Sequence, residues 1–424
     1  MQPSPARVAF RYPNVRYYLI VRVLTTTASE MQAVAVAWQV YGLTHRPLDL
    51  GLVGLAQFLP GILLFLITGH TADRVARQRI LQACCGGFSL CSLLLLGLTL
   101  HGLSSVLPIY VVLLLNGTVR AFNGPAGQAF LPLLVPEEHF PNAVAWNSSI
   151  FQAATIVGPV IGGLLYGWTG SPVLAYTCAA AEYVAASLLL SAMRVPFVER
   201  RRVAASYGMA FEGLKYIWRN RLILGAISLD LFAVLLGGAV ALLPVYAREV
   251  LKVGASGLGV LRSAPGVGAV IMAVVVAHWP LRRRAGAAML WCVFGFGLFT
   301  VIFGLSRNMA LSLAALVLVG ACDMVSVIVR HTLIQLLTPD EMRGRVSAVN
   351  VVFIGASNEV GQFESGITAQ WFGTVPAVVL GGIGTIAIVA VWAWRFPALR
   401  TVDSPSWPRT TSPGAHRPPR TVGK

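Results

Sequence analysis

Apolar residues in this chain fall in long runs, separated by short polar stretches. The runs lie near 17–43, 51–72, 80–101, 107–133, 143–167, 172–195, 222–248, 256–280, 286–305, 309–333, 346–371 and 376–397. A helix needs about 20 predominantly apolar residues to cross the hydrocarbon core of a bilayer, and the runs are close to that length or longer. The pattern predicts about twelve transmembrane helices and an all-α integral membrane protein. Several connections are very short: Thr169-Gly170-Ser171, followed by Pro172, carries the chain from the fifth run to the sixth. Such connections force neighbouring helices to run antiparallel.

The runs repeat with a period of about half the chain. Pro60-Gly61 recurs as Pro265-Gly266, an offset of 265 − 60 = 205, and Tyr41 recurs as Tyr246 at the same offset. Pro136-Glu137-Glu138 recurs as Pro339-Asp340-Glu341 at an offset of 339 − 136 = 203, which maps Asn147 to Asn350 and Gly158 to Gly361. Repeated sets of hydrophobic segments are how secondary transporters build two bundles around one substrate path. The expected organisation is a six-helix bundle over residues 1–197, a cytoplasmic linker over 198–220, a second six-helix bundle over 221–400 and a disordered cytoplasmic tail over 401–424. Within the linker, Met209, Phe211, Leu214, Ile217 and Trp218 form an apolar stripe suited to a helix at the membrane surface. A plain solvated linker is the competing reading for its first half. The tail is dominated by Pro, Ser, Thr and Arg, a composition that does not bury a core.

Composition agrees with immersion in lipid. Hydrophobic residues make up 56% of the 424, charged residues 11%, and glycines number 42, against about 25% charged in soluble domains. Mean hydropathy is +0.72. The net charge of +16 does not indicate nucleic acid, because the basic residues are short clusters between apolar runs. One side of the membrane collects Arg7, Arg11, Arg16, Arg74, Arg77, Arg79, Arg200, Arg201, Arg202, Lys215, Arg219, Arg282, Arg283, Arg284, Arg343, Arg345 and the tail arginines; the other has only Arg46, Arg248, Lys252 and Arg307. The positive-inside rule then places both termini in the cytoplasm. Cys84, Cys85, Cys91, Cys178, Cys292 and Cys322 all lie inside apolar runs without zinc-ligand spacing, so they read as small buried hydrophobes. The N-terminus leads through polar residues into a long first span and lacks the short apolar core of a cleavable signal peptide.

Gly69-His70-Thr71-Ala72-Asp73-Arg74-Val75-Ala76-Arg77-Gln78-Arg79, between the second and third spans, resembles the signature loop of the major facilitator superfamily, G-x-x-x-D-R-x-x-R-R, with Gln78 at one basic position. The resemblance implies a latch that closes the inner gate through Gly69, Asp73, Arg74, Arg77 and Arg79. Positive-inside charge alone explains the arginines but not the glycine and aspartate. The repeat counterpart has Val274 and His278 in place of the glycine and acid, with Arg282 and Arg284 kept, so a second charge latch is not expected there. Arg120-Ala121-Phe122-Asn123-Gly124-Pro125-Ala126-Gly127 resembles the superfamily's R-x-x-x-G-x-x-G motif, which links Arg120 to proton coupling; pairing with a neighbouring helix is the structural alternative. Gly158-Pro159-Val160-Ile161-Gly162-Gly163 resembles the G-P-x-x-G-G element of antiporters, with Ala154 at its upstream glycine. A generic small-residue packing face is the alternative for Gly158, Pro159, Gly162 and Gly163.

Trp38-Gln39-Val40-Tyr41-Gly42-Leu43-Thr44, Phe58-Leu59-Pro60-Gly61 and Thr338-Pro339-Asp340-Glu341-Met342-Arg343-Gly344-Arg345 resemble one branch of this superfamily, that of the enterobactin exporter and the macrolide efflux proteins. The resemblance covers the chain to about residue 397 and marks the branch, not the substrate.

Ionisable residues within the apolar runs are Arg22, Glu30, Glu182, Asp230, Arg262, Asp323, Glu359 and Glu364. Each is costly in lipid, so most should face a central cavity or pair. At the 203 offset Arg120 maps to Asp323, opposite charges at related places. Glu30, Arg120, Asp230, Asp323 and Glu359 are the expected substrate or proton contacts; Arg22, Glu182 and Glu364 read as structural or near-interface charges. Gln32, Trp38, Gln39 and Asn147 are polar or aromatic wall candidates. The functional expectation is a monomeric, proton-coupled exporter of a small amphipathic molecule, a siderophore, macrolide or other drug, in the bacterial inner membrane. The alternative is an importer or facilitator on the same fold. No enzyme, metal or cofactor is expected: the histidines sit mostly at span ends and no phosphate-binding loop of the G-x-x-x-x-G-K-[ST] type occurs.

Overall fold

The computed structural model describes residues 5–193, 195, 207–279 and 284–402, and within them all side chains except those at 5–7, 65, 66, 72, 73, 207–211 and 340. Arg7, Arg200, Arg201, Arg202, Arg282, Arg283, the first half of the linker and the tail beyond 402 therefore lie outside the described side chains. So does the carboxylate of Asp73.

The described chain is helical: α1 Pro13–Thr44, α2 Pro47–Leu63, α3 Phe65–Arg74, α4 Arg77–Leu100, α5 Leu107–Phe130, α6 Phe140–Thr169, α7 Val173–Ala192, α8 Tyr207–Arg219, α9 Arg221–Leu236, α10 Leu243–Val245, α11 Gly254–His278, α12 Ala285–Leu305, α13 Met309–Leu337, α14 Asp340–Phe372, α15 Thr374–Arg395 and α16 Ala398–Thr401. Twelve crossings result when α2–α3 and α9–α10 each count as one. Helix ends follow local chemistry. Asn220 and Asn308 cap α9 and α13, each side-chain oxygen accepting from two backbone N–H groups. Gly170 ends α6 with φ 66°, a left-handed conformation that glycine adopts without a Cβ penalty.

Among the described residues, nine segments are long and apolar enough to span a membrane by composition. The other three crossings are α2–α3, α5 and α14. The first is broken at Leu64, the second carries Asn116, Arg120 and Asn123, and the third carries Glu359 and Glu364. These three pack side by side, with α2 between α5 and α14. Arg120 and Glu359 of this group turn to one another in the interior rather than to the lipid face. Exposed Trp168 and Trp371 at one end, and Trp279 and Trp394 at the other, stand where amphipathic rings settle at membrane–water boundaries.

The seventh crossing corrects an expectation. Instead of one helix over 222–248, α9 stops at Gly237-Gly238, and a 3-10 turn over Ala239–Leu242, α10 and a π-helical turn over Tyr246–Val250 complete it. A Cβ on Gly238 would lie 2.8 Å from the Gly361 carbonyl oxygen, so α14 abuts the break and only glycine fits. Of the apolar stripe expected on the linker helix α8, the side chains of Met209 and Phe211 lie outside those described, and Leu214 is half-buried. Ile217 is fully buried, the Tyr216 hydroxyl donates to the Leu337 carbonyl at 2.8 Å, and Arg345 pairs with Glu212. The helix docks on α13 and α14, while Trp218 remains exposed.

In the first half α1 packs on α6 and α7, and α4 lies between α5 and α7. In the second half α13 lies between α11 and α12, and α14 packs on α9 and α15. The halves meet along α6–α11 and α2–α14. Cβ atoms added to Gly163 and Gly51 would come within 2.6 Å of the Ala255 carbonyl oxygen and 2.9 Å of Phe363 Cα. Both contacts lie toward the end of the molecule that carries Arg46, Arg248, Lys252 and Arg307, here termed the sparse end; the opposite end, rich in arginine, is the basic end.

Candidate functional site

Between the halves lies a cavity of about 650 Å³, within the range of small-molecule sites. Six charged residues line it: Arg22, Glu30, Arg120, Arg262, Asp323 and Glu359. Gln32, Gln57, Asn116 and Gln362 add amides, and Phe88, Phe151, Phe296 and Phe303 add aromatic surface. Such a wall suits an amphipathic solute. The broken backbone of the seventh crossing contributes Gly237 to Ala241 to the same wall, which fits irregular backbone at membrane depth being tolerated where it lines a cavity.

Two ion pairs cross this cavity with opposite polarity. Glu30 on α1 meets Arg262 Nε on α11 at 3.5 Å, and Arg120 Nη1 on α5 meets Glu359 Oε1 on α14 at 3.5 Å. Gln362 steadies Glu359 from the next turn, donating to its other oxygen at 3.2 Å. The Arg120 side chain is 61% exposed, so water screens that pair and its static contribution is about 0–1 kcal/mol. A weak pair across a moving interface is easily opened. Arg262 was not among the expected contacts; its signal was an arginine three residues before Pro265, deep inside an apolar run. Arg22, expected as a structural or near-interface charge, instead lines the cavity with its guanidinium 5.0 Å above the Phe151 ring.

Asp230, expected as a substrate or proton contact, does not reach the main cavity wall. It is buried in an ion pair with Arg330 of α13, and Ser326 donates to its Oδ1 at 3.4 Å. Arg330 is 2% exposed and is the largest fully buried side chain. An arginine near the basic end of a run resembles ordinary positive-inside charge, which hides this one in the sequence. Its usable signal was the spacing Asp323, Ser326, Arg330, which places three polar groups on one helical face. Asp323 does line the cavity.

The signature loop is helical except at Val75 and Ala76. Gly69 to Arg74 belong to α3, and α4 begins at Arg77. Arg77 donates to the Ala129 carbonyl at 3.1 Å. Gln78, at a basic position of the motif, donates to the carbonyls of Leu190 and Met193 at 2.6 and 2.8 Å, tying α4 to the end of α7. Arg74 and Arg79 are exposed. Those bonds stay within the first half.

The glycine-proline element uses two faces, not one. Cβ atoms on Gly158 and Gly162 would lie 2.7 Å from Glu30 Cβ and 2.8 Å from Met31 Cα, whereas Gly163 faces Ala255 and Gly259. Helix α6 is thereby pressed on α1 within its half and on α11 across the interface, with Pro159 inside the helix. Of the other wall candidates, Gln32 lines the cavity and accepts from Ser92 at 2.6 Å. Gln39 accepts from Tyr176 at 2.6 Å and donates to Thr99 at 3.0 Å, away from the wall. Asn147 and its repeat mate Asn350 also sit off the wall, each with a buried side-chain oxygen that accepts no hydrogen bond.

The sparse end is closed by polar contacts absent from the sequence reading. The Tyr41 hydroxyl donates to Glu249, and the Arg248 guanidinium sits 5.6 Å above the Trp38 ring. A hydrogen bond to a charged group contributes about 1.5–3 kcal/mol, so Tyr41→Phe should open this end about tenfold more often. Labelling of Ser256→Cys, at the α6–α11 seam, with a membrane-impermeant maleimide checks this. An unchanged rate would remove the lock from the account. Among the described residues no cluster of His, Cys, Asp or Glu has metal-binding geometry.

Residues 6–416 match the family described as transmembrane secretion effector. The chain belongs to that family. Its members carry the major facilitator fold expected from the motifs, and this one is accordingly a secondary transporter of a small molecule, held in the membrane by many spans, rather than an enzyme. Over 382 residues it is 27% identical to the enterobactin exporter EntS of Shigella boydii serotype 4 (strain Sb227), covering 88% of this chain and 86% of that protein. EntS of Escherichia coli O139:H28 matches at the same identity and coverage. Among solved structures, the bacterial homologue of the human lysosomal transporter Spinster, inward-facing and unoccupied, superposes with a TM-score of 0.72 over 92% of this chain and 99% of that one, at 13% identity. A bacterial homologue of the iron transporter ferroportin, also inward-facing, gives 0.68 over 89% and 98%, at 15% identity. These two likenesses concern the fold alone.

Proposed function

We propose that this transporter exports a small, siderophore-like amphipathic molecule across the bacterial inner membrane in exchange for protons, working as a monomer with both termini in the cytoplasm. The observation that carries the reading is the pair of cavity-crossing ion pairs, Glu30–Arg262 and Arg120–Glu359. When the halves rock, each pair must open, and a carboxylate without its arginine must find another positive charge or a proton. An incoming solute can compete for the arginines, and a proton can neutralise the acids. Breaking the pairs is then linked to both ligands.

With the sparse end on the outer side of the membrane, a state closed there would face inward and load from the cytoplasm. Two six-helix halves, residues 1–197 and 221–400, would pivot about the cavity, with 198–220 as the connecting linker. The latch of Gly69, Asp73, Arg74, Arg77 and Arg79 would engage when the basic end closes. The exporters among its relatives favour outward transport of a siderophore over uptake.

The test is a preformed proton gradient in everted membrane vesicles, followed by a pH-sensitive dye. Addition of a catecholate siderophore should collapse part of the gradient. Asp73→Asn and Arg120→Ala should each reduce the response about tenfold or more, since losing about 1.4 kcal/mol of coupling is a tenfold change. Gradient-independent uptake into intact cells would instead favour a facilitator. In the same vesicles Glu30→Gln should slow the response while Glu30→Gln with Arg262→Gln restores part of it, because the double variant leaves no unpaired arginine.

A further inference from the structure

Beside the main cavity lies a second, much smaller void of about 10 Å³, lined by Asp230, Asp323 and Ser326 on its polar side and by Val234, Val293 and Phe296 on its apolar side. A space of roughly 10–15 Å³ holds a single water, provided polar partners surround it. Asp323, Val234 and Phe296 also line the cavity, so Asp323 stands between the two spaces. Behind the void is the Asp230–Arg330 pair, where Arg330 is 2% and Asp230 5% exposed. The Nε of Arg330 is buried and has no hydrogen-bond partner.

Two carboxylates, Asp230 and Asp323, line the void, and only Asp230 has a cation beside it, Arg330. Asp323, half-buried at the cavity wall, forms no ion pair among the described residues. The cations on the surrounding elements are engaged elsewhere: on α1, Arg22 lines the same cavity but stacks on Phe151. On α11, Arg262 is turned to Glu30; on α14, Glu359 is turned to Arg120; His331, beside Arg330 in sequence, is exposed. From α12 the void meets Val293 and Phe296, from α9 it meets Ala233 and Val234 besides Asp230, and from α13 it also meets the neutral thiol of Cys322, which hydrogen-bonds to Cys292. α15 reaches α9 through Thr385, which donates to the Ala233 carbonyl at 3.2 Å.

We propose that Asp323 and Asp230 together hold one exchangeable proton, shared through a single water in the void between them, with Arg330 fixing the count at one. This deepens the proton-coupled reading by assigning the proton a site in the second half, apart from the cavity-crossing pairs. The proton arrives from the cavity on Asp323, whose O–H then donates to the water. The water passes a proton to Asp230, leaving Asp323 a carboxylate, the water intact and the total charge unchanged. Two carboxylates so coupled titrate as a unit. Ser326 orients Asp230, and the unpartnered Nε of Arg330 allows the guanidinium to shift as the carboxylate gains its proton.

The charge count makes the test sharp. Asp323→Asn leaves Asp230 and Arg330 as a neutral pair and should bind no proton. Arg330→Gln leaves two carboxylates without a cation and should bind two. Infrared difference spectra of the purified full-length protein in lipid nanodiscs, taken between acid and alkaline buffer, read the protonated-carboxyl stretch directly with protons as the only ligand. Wild type should show that band with one component that Asp323→Asn removes, Asp323→Glu shifts in frequency and Arg330→Gln enlarges, the components of the other carboxyls staying in place. A band that stays unchanged in folded Asp323→Asn, or no titrating carboxyl band in wild type, overturns the proposal. Because the spectra need no transported solute, a protein that shows the band yet gives no dye response in vesicles would count against siderophore–proton exchange and leave the proton site standing.

Discussion

Gly163→Val abolishes transport and leaves the sparse end unable to close. The reason is steric and confined to one state. Gly163 faces α11 so closely that even a Cβ would lie 2.6 Å from the Ala255 carbonyl oxygen and 2.9 Å from the Gly259 Cα. Both neighbours are backbone, so no side chain can turn aside. Overpacking a tight contact costs about 1–3 kcal/mol, and here the cost falls only on the state in which α6 and α11 touch. The closed state is then depopulated about 5- to 150-fold. Thermal stability should change little, because α6 remains packed on α1 through Gly158 and Gly162. Maleimide labelling of Ser256→Cys, combined with Gly163→Val, should rise toward the rate of an exposed cysteine. A variant that transports normally would show that the α6–α11 seam is not a moving surface.

Asp230→Ala destabilises the protein more than any other single change considered. It leaves Arg330 buried with no counter-charge, and removing one partner of a buried pair costs about 3–5 kcal/mol. Ser326 loses its acceptor in the same step. The double variant Asp230→Asn with Arg330→Gln removes both charges while nearly keeping volume, so most of the loss should be recovered. Thermal unfolding of the purified protein in detergent, followed by its helical signal, gives the comparison. Equal stability of Asp230→Ala and wild type would mean that the pair is open to water.

The membrane character, the twelve crossings and the twofold repeat were legible because lipid imposes a length and a polarity on every span. Of the three crossings that length and composition mark least clearly, α5 and α14 carry charges that line the cavity, whereas α2–α3 is apolar but divided into two short pieces. The break at Gly237-Gly238 was written in adjacent glycines but hidden by the strongly apolar residues around it. Leu64, by contrast, carries no breaker, and the end of α2 there could not be read from composition. At the site, Glu30, Arg120, Asp323 and Glu359 were recognised as charges out of place, and all four line the cavity. Their partners were not legible, since Arg262 and Glu359 lie in the other half and pairing across 232 or 239 residues (262 − 30 and 359 − 120) depends on how the halves dock. Asp230 was recognised as a buried charge, yet its partner Arg330 was masked by its nearness to the arginine-rich end.

The most direct measurement is transport by the purified protein in proteoliposomes, with a labelled catecholate siderophore outside and a proton gradient acid inside, in those vesicles whose carriers have their cytoplasmic face outward. Accumulation of the siderophore against its own gradient, lost on adding a protonophore and in Arg120→Ala, is the predicted result. Equilibration at the same rate with and without the gradient, unaffected by Arg120→Ala, would contradict exchange with protons and the role given to the cavity-crossing pairs.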